Sequence, residues 1–288
     1  MKTVKKNKKQ ALLFLLLFLL LLIIWLYWGN ASIQTTHIQI TSEKFHTELN
    51  GFTIVQISDL HNKKFGSHQH RLLKSVEKAS PNLIVITGDL IDSSHTDVGI
   101  AMEFISDAVK IAPTYYVSGN HEAWSNEYEN LKQQMVLAGV IILSDEETTI
   151  TYNGASFRLV GLEDPDFAAN NYHYESKDVI DTKLKAMPNK NEDYTILLSH
   201  RPELLDVYAK HNIDLVFSGH AHGGQFRLPF IGGLVAPNQG FFPKYTKGVY
   251  EKIETKMIVS RGLGNSIIPL RINNRPELVI VTLNNYST

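Results

Sequence analysis

Apolar residues fall into two kinds of run along this chain. The first is continuous: from Ala11 to Trp28 there are 18 residues without a charge, mostly Leu, Ile and Phe. As a helix this run spans about 27 Å at ~1.5 Å per residue, close to the hydrocarbon thickness of a bilayer. Trp25, Tyr27 and Trp28 close it, where interfacial aromatics belong, and Lys2, Lys5, Lys6, Lys8 and Lys9 precede it. The pattern predicts a cytoplasmic basic tail over 1–10, a transmembrane anchor over 11–28, and an extracytoplasmic remainder. A cleaved signal peptide is the alternative, with Gly29-Asn30-Ala31 as an acceptable cleavage site. The apolar run exceeds the usual ~7–15 residues of a signal sequence, however.

The second kind is short, β-branched and of strand length, and each example ends in a polar cluster. Phe52–Ile57 precedes Ser58-Asp59, Leu83–Thr87 precedes Gly88-Asp89, and Thr114–Val117 precedes Gly119-Asn120-His121. Further on, Thr195–Leu198 precedes Ser199-His200, Leu215–Phe217 precedes Gly219-His220, and Met257–Val259 precedes Arg261. Helical patterns occupy His70–Ala79, Ile100–Val109 and Tyr128–Ala138. Thr148–Tyr152 and Ser156–Val160, joined around Asn153-Gly154, read as a hairpin, and Leu278–Leu283 as a last strand. Residues 31–36 read as a short polar linker. The organisation expected is a linker and first strand over 29–49 and one α/β domain over 50–288, its two groups of strands forming two stacked sheets flanked by helices.

Composition narrows the function. No Cys is present, which excludes a disulfide scaffold, a Cys-type zinc site and a thiol nucleophile. Beyond residue 30 there are 23 basic and 29 acidic residues, a net charge of −6. A mildly acidic body argues against general nucleic-acid binding. In α/β sheets, ligands bind beyond the carboxyl ends of strands, where the polar clusters lie. Taken singly, a Gly-Asp after a strand is an ordinary turn and a lone His an ordinary core or surface residue. Together they supply three carboxylate or amide oxygens and four imidazoles: Asp59, His61, Asp89, Asn120, His200, His220 and His222. Mixed oxygen and nitrogen donors suit Mn, Fe or Zn better than Mg or Ca. Seven donors are too many for one ion and suit two ions sharing a carboxylate.

The series Asp-x-His, Gly-Asp, Gly-Asn-His-Glu, His and Gly-His-x-His, in that order, resembles the calcineurin-like metallophosphoesterase superfamily over roughly residues 50–283. Ser199-His200-Arg201-Pro202, Ser218-Gly219-His220-Ala221-His222-Gly223-Gly224-Gln225 and Ser260-Arg261-Gly262-Leu263-Gly264 look like its bacterial membrane-anchored branch, some members of which hydrolyse UDP-2,3-diacylglucosamine. The resemblance implies an α/β/β/α sandwich and two divalent ions, manganese first among Mn, Fe and Zn. Asp59, His61 and His222 would hold one ion, Asn120, His200 and His220 the other, and Asp89 would bridge them. A bridging hydroxide would be the nucleophile, His121 the general acid for the leaving oxygen, and Asp92 the residue orienting His121. Glu122 would fix the loop. In protein Ser/Thr phosphatases an Arg follows the equivalent of Asp92; here Ser93 stands there, which counts against a protein phosphatase. Arg261 is the substitute phosphate contact, its ordinary alternative being a surface salt bridge. Asp164 reads as a turn residue, and Arg201 as either a substrate contact or a solvated loop residue.

The expected activity is hydrolysis of a phosphodiester or pyrophosphate bond in a phosphorylated, lipid-linked substrate at the membrane, the glycolipid nucleotide resting on the resemblance alone. The same-class alternative is an extracytoplasmic phosphodiesterase or phosphomonoesterase acting on wall polymer, phospholipid or cyclic nucleotide. The different-class alternative is a non-catalytic metal-binding module. After His222 comes an apolar stretch rich in Gly and Pro, from Phe226 to Pro243. Either its side chains pack into the domain, or Phe230, Phe241 and Phe242 form an apolar wall or membrane-dipping lip that receives acyl chains.

Overall fold

The computed structural model describes residues 2–168, 175–188, 194–266 and 268–286. The side chains of residues 2–7, including Lys2, Lys5 and Lys6, lie outside the described residues. In chain order the helices are α1 (Lys2–Ala31), α2 (His70–Ala79), α3 (Val98–Ile111), α4 (Asn120–Ala123), α5 (Tyr128–Ala138), α6 (Ser176–Ala186) and α7 (Leu205–Lys210). The strands are β1 (Gln34–Ser42), β2 (Phe52–Ile57), β3 (Leu83–Thr87), β4 (Thr114–Val117), β5 (Ile141–Ile142), β6 (Glu146–Tyr152), β7 (Ala155–Gly161), β8 (Thr195–Leu198) and β9 (Leu215–Ser218). Four two-residue strands follow: β10 (Arg227–Leu228), β11 (Gly232–Gly233), β12 (Val235–Ala236) and β13 (Gly240–Phe241). The last three are β14 (Gly248–Lys252), β15 (Thr255–Val259) and β16 (Glu277–Asn285).

Two six-stranded sheets form, in the orders β1-β16-β2-β3-β4-β5 and β14-β15-β9-β8-β7-β6. β2, β3, β4 and β5 run parallel, as do β7, β8, β9 and β15. Central strands of this kind are buried on both faces and so read as unbroken apolar runs. Their two-residue period divides the residues between layers. Phe52 and Ile54 of β2 and Val85 of β3 face the inter-sheet core, where they join Phe157, Ile196, Phe217 and Ile258. Val55, Ile57, Ile84 and Ile86 face the other way, against Leu72, Val76, Phe104 and Leu131 of α2, α3 and α5. On the far side Val160, Leu197, Val216 and Met257 pack on Ile180, Leu184, Leu205 and Tyr208 of α6 and α7. The layers are thus helix, sheet, sheet, helix.

Two elements at the start of the chain differ from expectation. Residues 34–36, read as linker, already belong to β1, which pairs in parallel with β16 from Gln34↔Glu277 to Ser42↔Asn285. The alternation Gln-Thr-Thr-His-Ile-Gln-Ile buries little on its own and hides the strand in the sequence. The apolar helix also extends past Trp28 to Ala31, and its stretch Lys8–Ala31 is long and apolar enough to cross a membrane. α6 has no counterpart in the expected elements because only Ile180 and Leu184 of its 11 residues are buried.

Phe217 is fully buried between the sheets. Phe217→Ala should cost about 3–5 kcal/mol, read as a lower denaturant midpoint of the full chain in detergent with an unchanged slope. A cost under about 1 kcal/mol would mean that the two sheets do not pack through this residue.

Candidate metal centre

The carboxyl ends of β2, β3, β4, β8 and β9 meet at one edge of the sandwich. Each strand runs out into a sharp turn, and the backbone there is unusual. Asp59, His61, Asp89, His220 and His222 have φ of 51°, 44°, 54°, 63° and 46°. Side-chain-bearing residues seldom adopt this left-handed region, and where several do so together the turn serves to aim side chains. Two glycines make room for them. A Cβ on Gly119 would lie 2.2 Å from Asp89 Oδ1, and one on Gly219 would lie 2.4 Å from Asp59 Oδ2.

Among the described residues three groups of donors result: His61, Asp92 and His121 at the rim, and two that share a carboxylate. Asp59, His61, Asp89 and His222 form one, and Asp89, His200 and His220 the other, the donor atoms within each lying no more than 4.8 Å apart. Asp89 belongs to both. Its Oδ2 is 3.4 Å from His61 Nε2 and 3.1 Å from His200 Nε2. Asp59 Oδ1 lies 3.3 Å from His222 Nε2. His61 Nε2 faces His222 Nε2 at 3.1 Å, and His200 Nε2 faces His220 Nδ1 at 3.2 Å. Converging imidazole nitrogens in a dry site repel one another unless a cation or a proton stands between them. Asn120, in the first turn of α4, is buried with a side-chain oxygen that has no hydrogen-bond partner. This donor set fits divalent ions.

Surrounding bonds fix the rings. His200 Nδ1 donates to Thr87 O at 2.7 Å, which leaves Nε2 facing the site. His220 Nε2 lies 2.8 Å from Asn238 Oδ1. Glu122 ties two turns together by accepting from the backbone N–H of Gly119 at 2.7 Å, Asp89 at 2.8 Å and Ile91 at 3.2 Å. Burial, reinforced by Asp89, pushes the Glu122 carboxyl up to about 7. Burial also pushes Asp59 up to about 6 and holds His61 down to about 3. His220 and His222 are lowered well below the usual histidine range, again mainly by burial. Burial would lower His200 too, but the charge and hydrogen bond of Asp89 raise it to about 10. Against its own burial, Asp89 is held well below the usual carboxylate range by His200 and then His61.

His121 sits over this edge, its ring centroid 4.4 Å from that of His61. Its Nδ1 accepts from the Ser93 backbone N–H at 3.1 Å, while Asp92 Oδ2 is 3.9 Å away and closer, at 3.6 Å, to His61 Nδ1. The ring is therefore oriented by the Ser93 amide, with Asp92 set between the two histidines. His61, Asn62, Asp92, His121, Asn265, Ser266 and Pro269 are among the residues lining a cleft of about 420 Å³. Trp124 stands exposed beside His121, ring centroids 5.2 Å apart.

The expected substrate contacts lie elsewhere. Arg261 is buried in an ion pair with Glu277, Nη2 to Oε1 3.0 Å, its own amide donating to Oε2 at 2.9 Å. It is neither in the cleft nor a surface pair, because the turn after β15 folds its side chain onto the start of β16. Phe230, Phe241 and Phe242 do not line the cleft and do not pack into the domain; all three are exposed. Arg201 is not a solvated loop residue, nor Asp164 a simple turn residue. Both are buried, Arg201 Nε and Nη2 each donating to Asp164 at 2.7 Å, while Nη1 donates to Asn238 Oδ1 at 3.0 Å beside His220. Sequence reasoning missed Arg271, buried with Nη2 3.4 Å from His222 Nδ1 and its guanidinium on Gly264 O. It carries no motif spacing that would have marked it.

A family model described as calcineurin-like phosphoesterase matches residues 52–224. The chain belongs to this family. Its members are metal-dependent phosphoester hydrolases with a dinuclear divalent metal centre. Among calcineurin-like phosphoesterases, the chain is 28% identical over 260 residues to the uncharacterized metallophosphoesterase YkuE of Bacillus subtilis, covering 87% of this chain and 85% of that protein. It is 28% identical over 240 residues to the phosphodiesterase YaeI of Escherichia coli, covering 81% and 82%. It is 29% identical over 261 residues to a Bos taurus transmembrane protein with metallophosphoesterase domain, covering 86% of this chain and 56% of that longer protein.

The pKa shifts set a sign for metal loading. At pH 7 the His200 ring, raised to about 10, carries a proton that a cation must displace. Loading the metal-free chain with Mn2+ at pH 7 should release about one proton, seen by calorimetry in buffers of different ionisation enthalpy. Affinity should rise by up to about tenfold per pH unit towards 10 and fall more steeply below about 6, where Asp59 also gains its proton. A loading enthalpy independent of the buffer would contradict the Asp89–His200 ion pair.

Proposed function

We propose that this chain is a membrane-anchored, two-metal hydrolase of a phosphodiester or pyrophosphate bond. One observation carries the reading: the Asp89 carboxylate is shared by two histidine-bearing donor groups 3.1–3.4 Å from it, beneath a cleft that His121 overhangs. In this reading Asp59, His61 and His222 hold one ion, Asn120, His200 and His220 the second, and Asp89 both, with manganese the first metal to supply. When bound, the two ions neutralise charge on the phosphoryl oxygens and lower the pKa of a water. The chain's own groups do the rest. The Ser93 amide occupies Nδ1 of His121, so the neutral ring carries its proton on Nε2. There it can donate a hydrogen bond to the leaving oxygen as negative charge develops on it, the acid role assigned to His121. Asp92 lies between the two rings, its Oδ2 3.6 Å from His61 Nδ1 and 3.9 Å from His121 Nδ1. Arg201 and Arg271, buried against His220 and His222, hold those rings in place from behind.

The substrate belongs to the same proposal. Resemblance points to a glycolipid nucleotide such as UDP-2,3-diacylglucosamine. The lysines ahead of the span favour a domain outside the membrane, where a lipid-linked or polymeric phosphodiester is the better fit, and the relative named a phosphodiesterase supports that second reading. Purified full chain should hydrolyse bis(p-nitrophenyl) phosphate, lose the activity to a chelator and regain it with Mn2+. Asp89→Asn should lose most activity and weaken both ions. His121→Ala should keep its metal while slowing poor leaving groups by roughly 10²–10⁴-fold, and slow p-nitrophenolate release less. Equal losses for both leaving groups would reject the acid role, and one ion per chain at full activity would reject the shared carboxylate. Lipid-linked, polymeric and cyclic diesters assayed side by side separate the substrate classes.

A further inference from the structure

The stretch after His222 is folded and yet apolar on its outside. β10 pairs with β11 and β12 with β13 as two small antiparallel ribbons. Leu234 N–H bonds to Phe226 O at 2.9 Å, Phe242 N–H to Leu234 O at 2.9 Å, and the Gln239 side chain holds both main-chain groups of Tyr245. From this frame Leu228, Phe230, Ile231, Phe241 and Phe242 project into solvent, Phe230 fully and Phe241 by three quarters. Phe230 and Phe242 have φ of 66° and 54°. A turn needing only that backbone is served best by glycine. An aromatic side chain held outward at such a position is a strained placement, and strain of this kind collects where a side chain has a task.

The position of the ribbons says what covers them. Arg227 N–H donates to Ile272 O at 3.0 Å, and Asn273 Nδ2 to Arg227 O at 3.2 Å. The segment so gripped is the one on which the apolar helix ends. Arg271 N–H donates to Asn30 Oδ1 at 2.8 Å, and Asn30 Nδ2 returns to Arg271 O at 3.0 Å. Arg275 lies over the Trp28 ring, 4.4 Å from its centroid, and its Nε reaches Ser32 Oγ at 2.9 Å. Trp25, Tyr27 and Trp28 are the residues that sit at headgroup depth when this helix spans a bilayer. Residues 271–275 therefore lie at that depth, and the exposed phenylalanines begin three residues beyond Arg227. Arg71 and Arg275 lie beside the end of the helix, Arg71 Nη1 3.4 Å from Ala31 O and Arg275 Nε 2.9 Å from Ser32 Oγ, and Lys244 and Lys247 follow Phe242 in the chain. Exposed apolar side chains with basic residues near them in the chain and at the helix end suit an interfacial contact with anionic lipid.

We propose that Leu228, Phe230, Ile231, Phe241 and Phe242 insert into the interface of the bilayer that α1 crosses, giving the domain a second, rigid membrane contact and turning its metal edge to the lipid surface. This rests on the reading of α1 as a membrane anchor, and the occupant is a phospholipid bilayer containing anionic headgroups. The absence of Cys allows a direct test. Phe230→Cys, Phe241→Cys, Leu15→Cys and Ile253→Cys are each labelled with an environment-sensitive fluorophore in the full chain. They are reconstituted in nanodiscs of phosphatidylcholine and phosphatidylglycerol, some of whose lipids carry a nitroxide just below the headgroup or deep in the acyl chain. Ile253 is as exposed and apolar as Phe241, but it lies in the turn before β15, at the end of the sheet opposite the metal edge. Labels at 230 and 241 should be quenched by the shallow nitroxide, the label at 15 by the deep one, and the label at 253 by neither. Labels at 230 and 241 behaving like the one at 253, with 15 quenched, would overturn the second contact alone. An unquenched label at 15 would overturn the anchor, and the proposal with it.

Discussion

The Asp89 carboxylate, wedged between His61 and His200, is the constraint to which the rest of this sheet edge answers. A buried carboxylate is stable only with compensating charge and full hydrogen bonding. His121 N–H donates to its Oδ1 at 2.9 Å, and its own amide is held by Glu122. Glu122 in turn clamps the turns after β3 and β4, so the glycine-lined approach of Gly119 to Asp89 follows from the same need. Around this pair the remaining imidazoles are kept uncharged by burial, which is the form that binds a metal. One carboxylate thus sets the protonation of its neighbours, the close spacing of two loops and the sharing of donors between two groups.

Much of the fold was legible in the chain because its central strands are buried on both faces. Leu83–Thr87, Thr114–Val117 and Thr195–Leu198 are almost wholly apolar, Phe52–Ile57 is interrupted only by Thr53 and Gln56, and all four form strands over those same residues. The polar clusters were legible because each follows such a run at once. β1 and α6 were not, since an alternating edge strand and a lysine-rich helix with two buried residues give weak periodic signals. Which residues stand near the centre depends on contacts distant in sequence. Arg261 and Arg271 look alike along the chain, yet Glu277 takes the first and His222 has the second beside it. Asp164 looked like a turn residue until Arg201, 37 positions on, closed on it. Orientation of His121 by the amide of Ser93 leaves little trace in residue identity, because any residue but proline at position 93 offers the same N–H; only the Ser93 hydroxyl, also 3.1 Å from Nδ1, is particular to this side chain.

The buried arginines illustrate a general feature of this edge. Arg201, Arg261 and Arg271 are all nearly inaccessible. Each is engaged by a carboxylate or by carbonyl oxygens, so each fixes a turn in place. None of the described residues lining the cleft is an arginine or a lysine, so the divalent ions that the family implies are the charge that would face a phosphate there.

The parallel pairing of β1 with β16 has a consequence for how the protein is made. The strand next to the apolar helix leaves the ribosome early, yet its ladder partner begins at Glu277, more than two hundred residues later. At roughly 5–20 residues per second that interval is about 12–50 s. During it β1 is held near the helix with its hydrogen-bonding groups unpaired, and as an edge strand it has no other neighbour in the sheet. Closing so long a loop is entropically slow in a free chain. The last strand must return to the strand beside that helix for the sheet to be complete. Folding of this domain therefore finishes at the place where its synthesis began.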